Sequence, residues 1–367
     1  MSSFLRAIFF SIVIASGATA AAALPDSLQG LGLRESSVAS RDMPGWEKPQ
    51  RIVVWVPFGP QLVQQLQAAA PGVELVAVSD AQAAAKAVPG SQALIGFCDE
   101  AVLEAADQLH WVQVFFAGVE DCVSLPGMQS GVVLTNGQRL SGPAIADHTI
   151  ALTYALLRGI DVFHGNQATG DWDRSASSTL RSFGELSGRT MLVVGLGGIG
   201  TEVAQRANAL GMRILATRGS SREGPDYVEY VGLGDEAIKL APQADIVVNA
   251  VPLIDATRGM FNKAFFTAMK PDAYYISVGR GQTTVTADLL AALTSGQIAG
   301  AGLDVTEPEP LPADHPLWNT PRVIITPHVA ATSAETFSRM QALVTENLRR
   351  YVAGEPLLSV VDIQRGY

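Results

Sequence analysis

The stretch "MLVVGLGGIGTEVAQRANALG", residues 191–211, decides the fold. Met191–Val194 is a continuous apolar run with no polar alternation, as in a strand covered on both faces. Gly195, Gly197 and Gly200 follow with the spacing G-x-G-x-x-G. Helical spacing then runs to Gly211, which closes the segment. A strand, a tight turn and a helix in that order cradle a dinucleotide pyrophosphate. Gly195 permits the turn, Gly197 lets backbone approach the phosphates, and Gly200 lets helix and strand pack closely. The helix start adds free N–H groups and partial positive charge. The spacing alone is a weak signal, with a glycine-rich structural turn as the other reading. The flanking strand and helix select the nucleotide site.

The next strand, "RILAT" (213–217), sharpens this. An acid usually ends it, about 20 residues beyond the motif, and accepts the ribose 2′-OH. Here Arg218 stands eighteen positions past Gly200, and no acid appears before Glu223. An Asp would repel a 2′-phosphate; Arg218 attracts one, and Ser220, Ser221 and Arg222 bring further donors. The loop therefore reads as preferring NADP(H), with NAD(H) as the lesser partner. The bland alternative is a solvated loop arginine with relaxed cofactor choice.

Four more strands follow: "ADIVVNAVPL" (244–253), "AYYISVGRG" (273–281), "AGAGLDV" (299–305) and "RVIITPHVA" (322–330). With the first two they make six, alternating with helices in a doubly wound parallel sheet. Arg280, Asp304, Glu309 and His328 fall at or beyond the carboxyl ends, where such sheets bind ligands. Singly they read as a strand-end charge, solvated acid in "EPEPLP" (307–312) or a satisfied loop histidine. Together, Arg, carboxylate and His suggest proton transfer beside a bound carboxylate.

The first half alternates too. "RIVVWVPFG" (51–59), "VELVAVS" (73–79), "QALIGF" (92–97) and "HWVQVFF" (110–116) read as strands separated by helices. "GPAIADHTIALTYALLRGIDVFHGNQ" (142–167) reads as one long helix. No internal repeat has a solenoid period.

With 367 residues, 48% apolar and 16% charged, the chain is long enough for two lobes and too apolar for global disorder. The net charge of −10 disfavours a nucleic-acid partner. Cys98 and Cys122 have neither zinc-ligand nor C-x-x-C spacing. They read as two small buried apolar side chains, with one bridge as the alternative if the chain is exported. Residues 1–23 have the build of a secretory signal: Arg6, the apolar run Ala7–Ala15, and A-x-A options at Ala18–Ala20 and Ala21–Ala23. The run is short for a membrane span, and no stable insertion is expected after cleavage. Export to the periplasm is the expectation, cytoplasmic residence the alternative. Residues 24–49 read as a polar linker.

The block "SVGRG" (277–281) through "LLAALTSGQIAGAGLDVTEPEPLPADHPLWNTPRVIITPHVAATS" (289–333) resembles the signature of the D-isomer-specific 2-hydroxyacid dehydrogenases. "LHWVQVFFAGVEDC" (109–122) and "SGPAIADHTIALTYALLR" (141–158) resemble that family's substrate-lobe loop and linking helix, so the likeness spans about residues 51–360. It implies an α/β fold of two lobes, with a Rossmann domain (148–330) inserted into a flavodoxin-like substrate domain (50–147, completed by 331–367). By the same resemblance Arg280 binds substrate, His328 is the general acid/base, and Glu309 is the histidine's acid partner. Asp304 lies near the nicotinamide carboxamide. Gly195, Gly197, Gly198, Ile199, Gly200, Arg218, Ser220, Val251, Pro252, Thr257 and Val278 line the cofactor, while Ala117 and Gly118 join Arg280 on the substrate. A homodimer through the cofactor domain is implied, and no metal. Asp147 stands where the family commonly has Glu, and Arg218 where it commonly has an acid; the arginine supports NADP(H), as in the family's glyoxylate/hydroxypyruvate reductase branch.

The expected activity is NAD(P)H-dependent reduction of a small 2-oxo acid to the D-2-hydroxy acid, and its reverse. Arg280 takes the carboxylate, and His328, with Glu309 favouring its imidazolium, donates the proton. Two alternatives are a nucleotide-sensing or co-repressor-like protein and an NAD-dependent phosphoglycerate-type dehydrogenase. Sensing alone needs no Arg–Glu–His set, and Arg218 weighs against the dehydrogenase. Export sits uneasily with the cofactor, since an exported chain meets little NADP(H).

Overall fold

A computed structural model describes residues 23–366 apart from residues 58 and 60. The signal-like segment thus lies outside the described residues, except for Ala23. In chain order the strands are β1 (Glu35–Ala39), β2 (Arg51–Trp55), β3 (Glu74–Val78), β4 (Ala93–Gly96), β5 (Trp111–Val114), β6 (Val133–Thr135), β7 (Thr190–Val194), β8 (Arg213–Thr217), β9 (Tyr230–Gly232), β10 (Ile246–Asn249), β11 (Tyr274–Ser277), β12 (Gly300–Leu303), β13 (Val323–Ile325) and β14 (Pro356–Leu358). β2–β6 form a five-stranded sheet in the order β3-β2-β4-β5-β6, and β7–β13 a seven-stranded sheet in the order β13-β12-β11-β10-β7-β8-β9. Every pairing within these two sheets is parallel.

The continuous apolar runs have a physical reason: alternate residues feed cores on opposite faces. Met191 and Val193 pack with Leu152, Leu156, Val203 and Ala207 from the helices Gly142–Leu157 and Gly198–Ala209. Leu192 and Val194 face the other way, onto Phe265 and Leu289. In the smaller sheet Ile52 and Val54 pack on Leu343 and Tyr351 of the C-terminal helix Ala334–Ala353, while Val53 meets Val102 and Leu103. Each fully buried Val or Leu contributes roughly 1.5–3 kcal/mol. The seven-stranded sheet thus sits in sequence between two stretches that build the five-stranded lobe.

Several expectations change. The long helix breaks at Gly159, whose φ of +63° is left-handed, and resumes as Ile160–Thr169. The larger sheet has a seventh strand, β9, and the smaller gains β6; both are three residues long, too short to show a period. Residues 24–49 are not a free linker: β1 pairs antiparallel with β14, and Leu28 is buried in the core beside Leu357. Cys98 and Cys122 are not free either, but joined in a disulfide. Among the described residues no helix is long and apolar enough to cross a membrane.

Candidate active site

Because the strands of the larger sheet are parallel, their carboxyl ends share one edge. Gly195 leaves β7, Arg218 leaves β8, Val251 follows β10, Arg280 β11, Asp304 β12 and His328 β13.

The glycine turn fits a dinucleotide. Gly195 has φ +101°, and a Cβ there would stand 2.7 Å from the Ala250 carbonyl oxygen. A Cβ on Gly200 would stand 2.1 Å from the Gly195 oxygen, so helix and turn touch through backbone alone. Around Gly197 nothing lies within 4 Å of such an atom, which is the room a phosphate needs. The helix begins at Gly198, so the N–H groups of Gly198, Ile199 and Gly200 have no acceptor one turn back. Val251 and Val278 are buried, and a Cβ on Gly195 would stand 2.9 Å from the Val251 nitrogen. The Thr257 hydroxyl donates to the Pro252 carbonyl at 2.6 Å, closing the loop beyond β10. Arg218 is partly exposed and donates to the Glu223 carbonyl at 3.2 Å; Ser220 is exposed. Arg222 donates to Glu236 and to the Tyr230 hydroxyl.

At the other end, His328 Nδ1 lies 2.6 Å from Glu309 Oε1, with both side chains about two-fifths exposed (42% and 40%). Nδ1–H therefore donates to Glu309, and Nε2 is the ring nitrogen left to face a reactant. Glu309 is held between the cis peptides Glu307–Pro308 and Glu309–Pro310. His328 itself has φ +54°. Asp304 secures that backbone. Its buried carboxylate accepts the Thr326 hydroxyl at 2.6 Å and the N–H groups of Val329 and Ala330, both at 3.0 Å. His148 Nε2 approaches Thr326 Oγ1 at 2.9 Å from the linking helix. Asp304 thus anchors the histidine loop, a task its sequence position does not reveal.

Arg280 donates through Nε to Glu120 and through Nη1 to the Gly279 carbonyl at 3.0 Å. The backbone of Ala117–Val119 lies against it: a Cβ on Gly118 would stand 2.1 Å from Arg280 Nη2. Asn136 and Gly137 fix this loop by donating to the carbonyls of Ala117 (2.7 Å) and Phe116 (2.9 Å). Among the described residues the N–H groups of Ala117, Gly118 and Val119 make no hydrogen bond. Glu120 was not among the residues singled out from the sequence, although it follows that loop directly. Burial pushes its carboxyl up, but the charge and hydrogen bond of Arg280 outweigh this and hold it below the ordinary value. Cys122, two residues on, ties the same segment to Cys98 beyond β4. Buried Asn249 also escaped notice. Its amide donates to Thr283 Oγ1 at 2.8 Å, and that hydroxyl donates to the Arg280 carbonyl at 2.7 Å.

Residues 150–330 match the family described as D-isomer specific 2-hydroxyacid dehydrogenase, NAD binding domain. A glyoxylate reductase of Korarchaeum cryptofilum is 35% identical over 260 residues, covering 70% of this chain and 77% of that protein. The glyoxylate reductase of Pyrococcus furiosus is 34% identical over 263 residues, with coverage of 70% and 77%. Among solved structures, the NADPH-dependent glyoxylate/hydroxypyruvate reductase of Sinorhizobium meliloti in complex with NADP and sulfate superposes with a TM-score of 0.75. It is 27% identical, over 87% of this chain and 100% of that one.

Proposed function

Because this chain belongs to the D-isomer-specific 2-hydroxyacid dehydrogenases, we propose that it reduces a small 2-oxo acid to the D-2-hydroxy acid through His328, Glu309 and Arg280, with NADP(H) preferred and NAD(H) as the lesser partner. The observation that carries the residue roles is the shared sheet edge, which brings the Glu309–His328 pair and the Arg280–loop 117–119 pair to the same rim as the glycine turn.

NADPH, when bound, supplies the hydride that reduces C2 of the substrate. The terminal guanidinium edge of Arg280 and the N–H groups of Ala117–Val119 hold the substrate carboxylate. His328, carrying a proton on each ring nitrogen, gives the one on Nε2 to the C2 oxygen, while Nδ1–H stays on Glu309 and holds the ring in place. An exposed imidazole regains its proton from water. The test is the consumption of NADPH with glyoxylate and with hydroxypyruvate, repeated on His328→Ala.

A homodimer through the cofactor domain is part of this reading. It is supported by the arm after the linking helix: Ile160–Thr169 buries none of its residues, and Trp172 is 91% exposed. Light scattering on the wild type and on Trp172→Asp tests it; a wild-type monomer overturns it. Export is likewise our reading. The Cys98–Cys122 bridge supports it, since such bonds persist mainly in oxidising compartments. N-terminal sequencing of protein from native cells decides: an intact Met1 in a soluble cytoplasmic fraction ends the proposal.

A further inference from the structure

Arg139 lies in the turn between β6 and the linking helix, in the substrate lobe, and has a φ of +70°. Left-handed backbone is uncommon in a residue with a side chain and persists where its surroundings demand it. The stem of Arg139 crosses the start of the nucleotide-binding helix: a Cβ on Gly198 would stand 3.0 Å from Arg139 Cγ. Any side chain at 198 would crowd it, so the glycine leaves Arg139 its place. The guanidinium reaches the segment before β1, where a Cβ on Gly32 would stand 3.1 Å from Nη1, and it donates to the Leu31 carbonyl at 3.5 Å.

Its charged neighbours are mostly of its own sign. Burial disfavours the Arg139 charge, and so do Arg34 and Arg218; Glu202 opposes them. Among the described residues Arg34, Arg139 and Arg218 form no ion pair. Arg139 thus stands over the start of the nucleotide-binding helix with its guanidinium beside Gly32, two residues before Arg34, and the charges of Arg34 and Arg218 both act on it. Cations without an ion-pair partner favour an anion among them.

We propose that Arg139 and Arg34, from the substrate lobe and its N-terminal segment, join Arg218 in binding the phosphate groups of the dinucleotide, which rests on the reading of the glycine turn as the cofactor site. The segment 24–49 then serves the cofactor as well as the substrate lobe's own core. The chemistry recognised is a phosphate, from either the pyrophosphate or the 2′-phosphate.

The test is a titration of the full chain with NADPH and with NADH, followed by tryptophan fluorescence, for the wild type, Arg139→Gly and Arg34→Gln. Arg139→Gly suits the left-handed backbone, so it should unfold at or above the wild-type temperature. Its Kd for NADPH should nevertheless rise about tenfold, the weight of one charge-assisted contact. Arg34→Gln should shift Kd in the same direction by less. An equal loss for NADH places the contact on the pyrophosphate; a loss confined to NADPH places it on the 2′-phosphate. Unchanged Kd values in both variants of a wild type that binds well overturn this inference alone. A wild type that binds neither cofactor overturns the cofactor reading, and this inference with it.

Discussion

At the nucleotide end of the shared sheet edge, Arg218 and Arg139 donate, among the described residues, only to the peptide carbonyls of Glu223 and Leu31. At the substrate end, Arg280 is paired with Glu120 and His328 with Glu309. The difference follows from what each end must do. A dinucleotide phosphate is a concentrated anion, and cations left unmatched hold it without first giving up a partner. A small 2-oxo acid carries one carboxylate and must leave as product. There a carboxylate beside Arg280 and another beside His328 fix the orientation of each side chain.

That contrast is easiest to break at the histidine. His328→Ala should lower kcat by at least about 10²-fold while leaving the Kd for NADPH within about twofold. Stopped turnover with weakened cofactor binding would mean that the two ends are not separate. Arg280→Gln should lower kcat/KM for the 2-oxo acid by about 10²-fold, mostly through KM, since the bidentate charge-assisted hold is lost. An effect on kcat alone would remove Arg280 from substrate binding.

Arg218→Asp acts at the other end and is smaller. It removes an attraction for the 2′-phosphate and adds a repulsion, so the kcat/KM ratio of NADPH to NADH should fall by more than about tenfold at fixed ionic strength. A wild type that already favours NADH would contradict the assignment, whatever the variant does. Glu120→Gln should have the least effect. Its pair with Arg280 is partly exposed, with side chains at 32% and 30%, so its loss is worth about 1 kcal/mol or less. KM for glyoxylate should fall about threefold as Arg280 is freed from its carboxylate. A tenfold rise in KM would instead make Glu120 essential to placing Arg280.

The larger sheet was legible because its strands are buried on both faces and leave continuous apolar runs, as at Met191–Val194. Strands β6 and β9 were not, being three residues each and held by their neighbours rather than by pattern. Arg280, Glu309 and His328 could be picked out because each lies at or just beyond a strand end. The approach of His328 to Glu309 was expected from resemblance, and the structure supplies its 2.6 Å geometry. Glu120 and Arg139 stayed hidden because their partners lie far along the chain: Arg280 is 160 residues from Glu120, and Arg139 meets Gly198 from the other lobe. The disulfide stood only as the alternative to two free thiols, since a 24-residue separation carries no spacing signal.

The most direct test is a turnover assay of the wild type with hydroxypyruvate, NADPH or NADH, and chiral analysis of the product. One NADPH should be consumed per molecule reduced, the product should have D configuration, and kcat/KM with NADPH should be at least about tenfold above that with NADH. No oxidation of either cofactor with hydroxypyruvate, glyoxylate, pyruvate or phenylpyruvate would contradict the proposed activity.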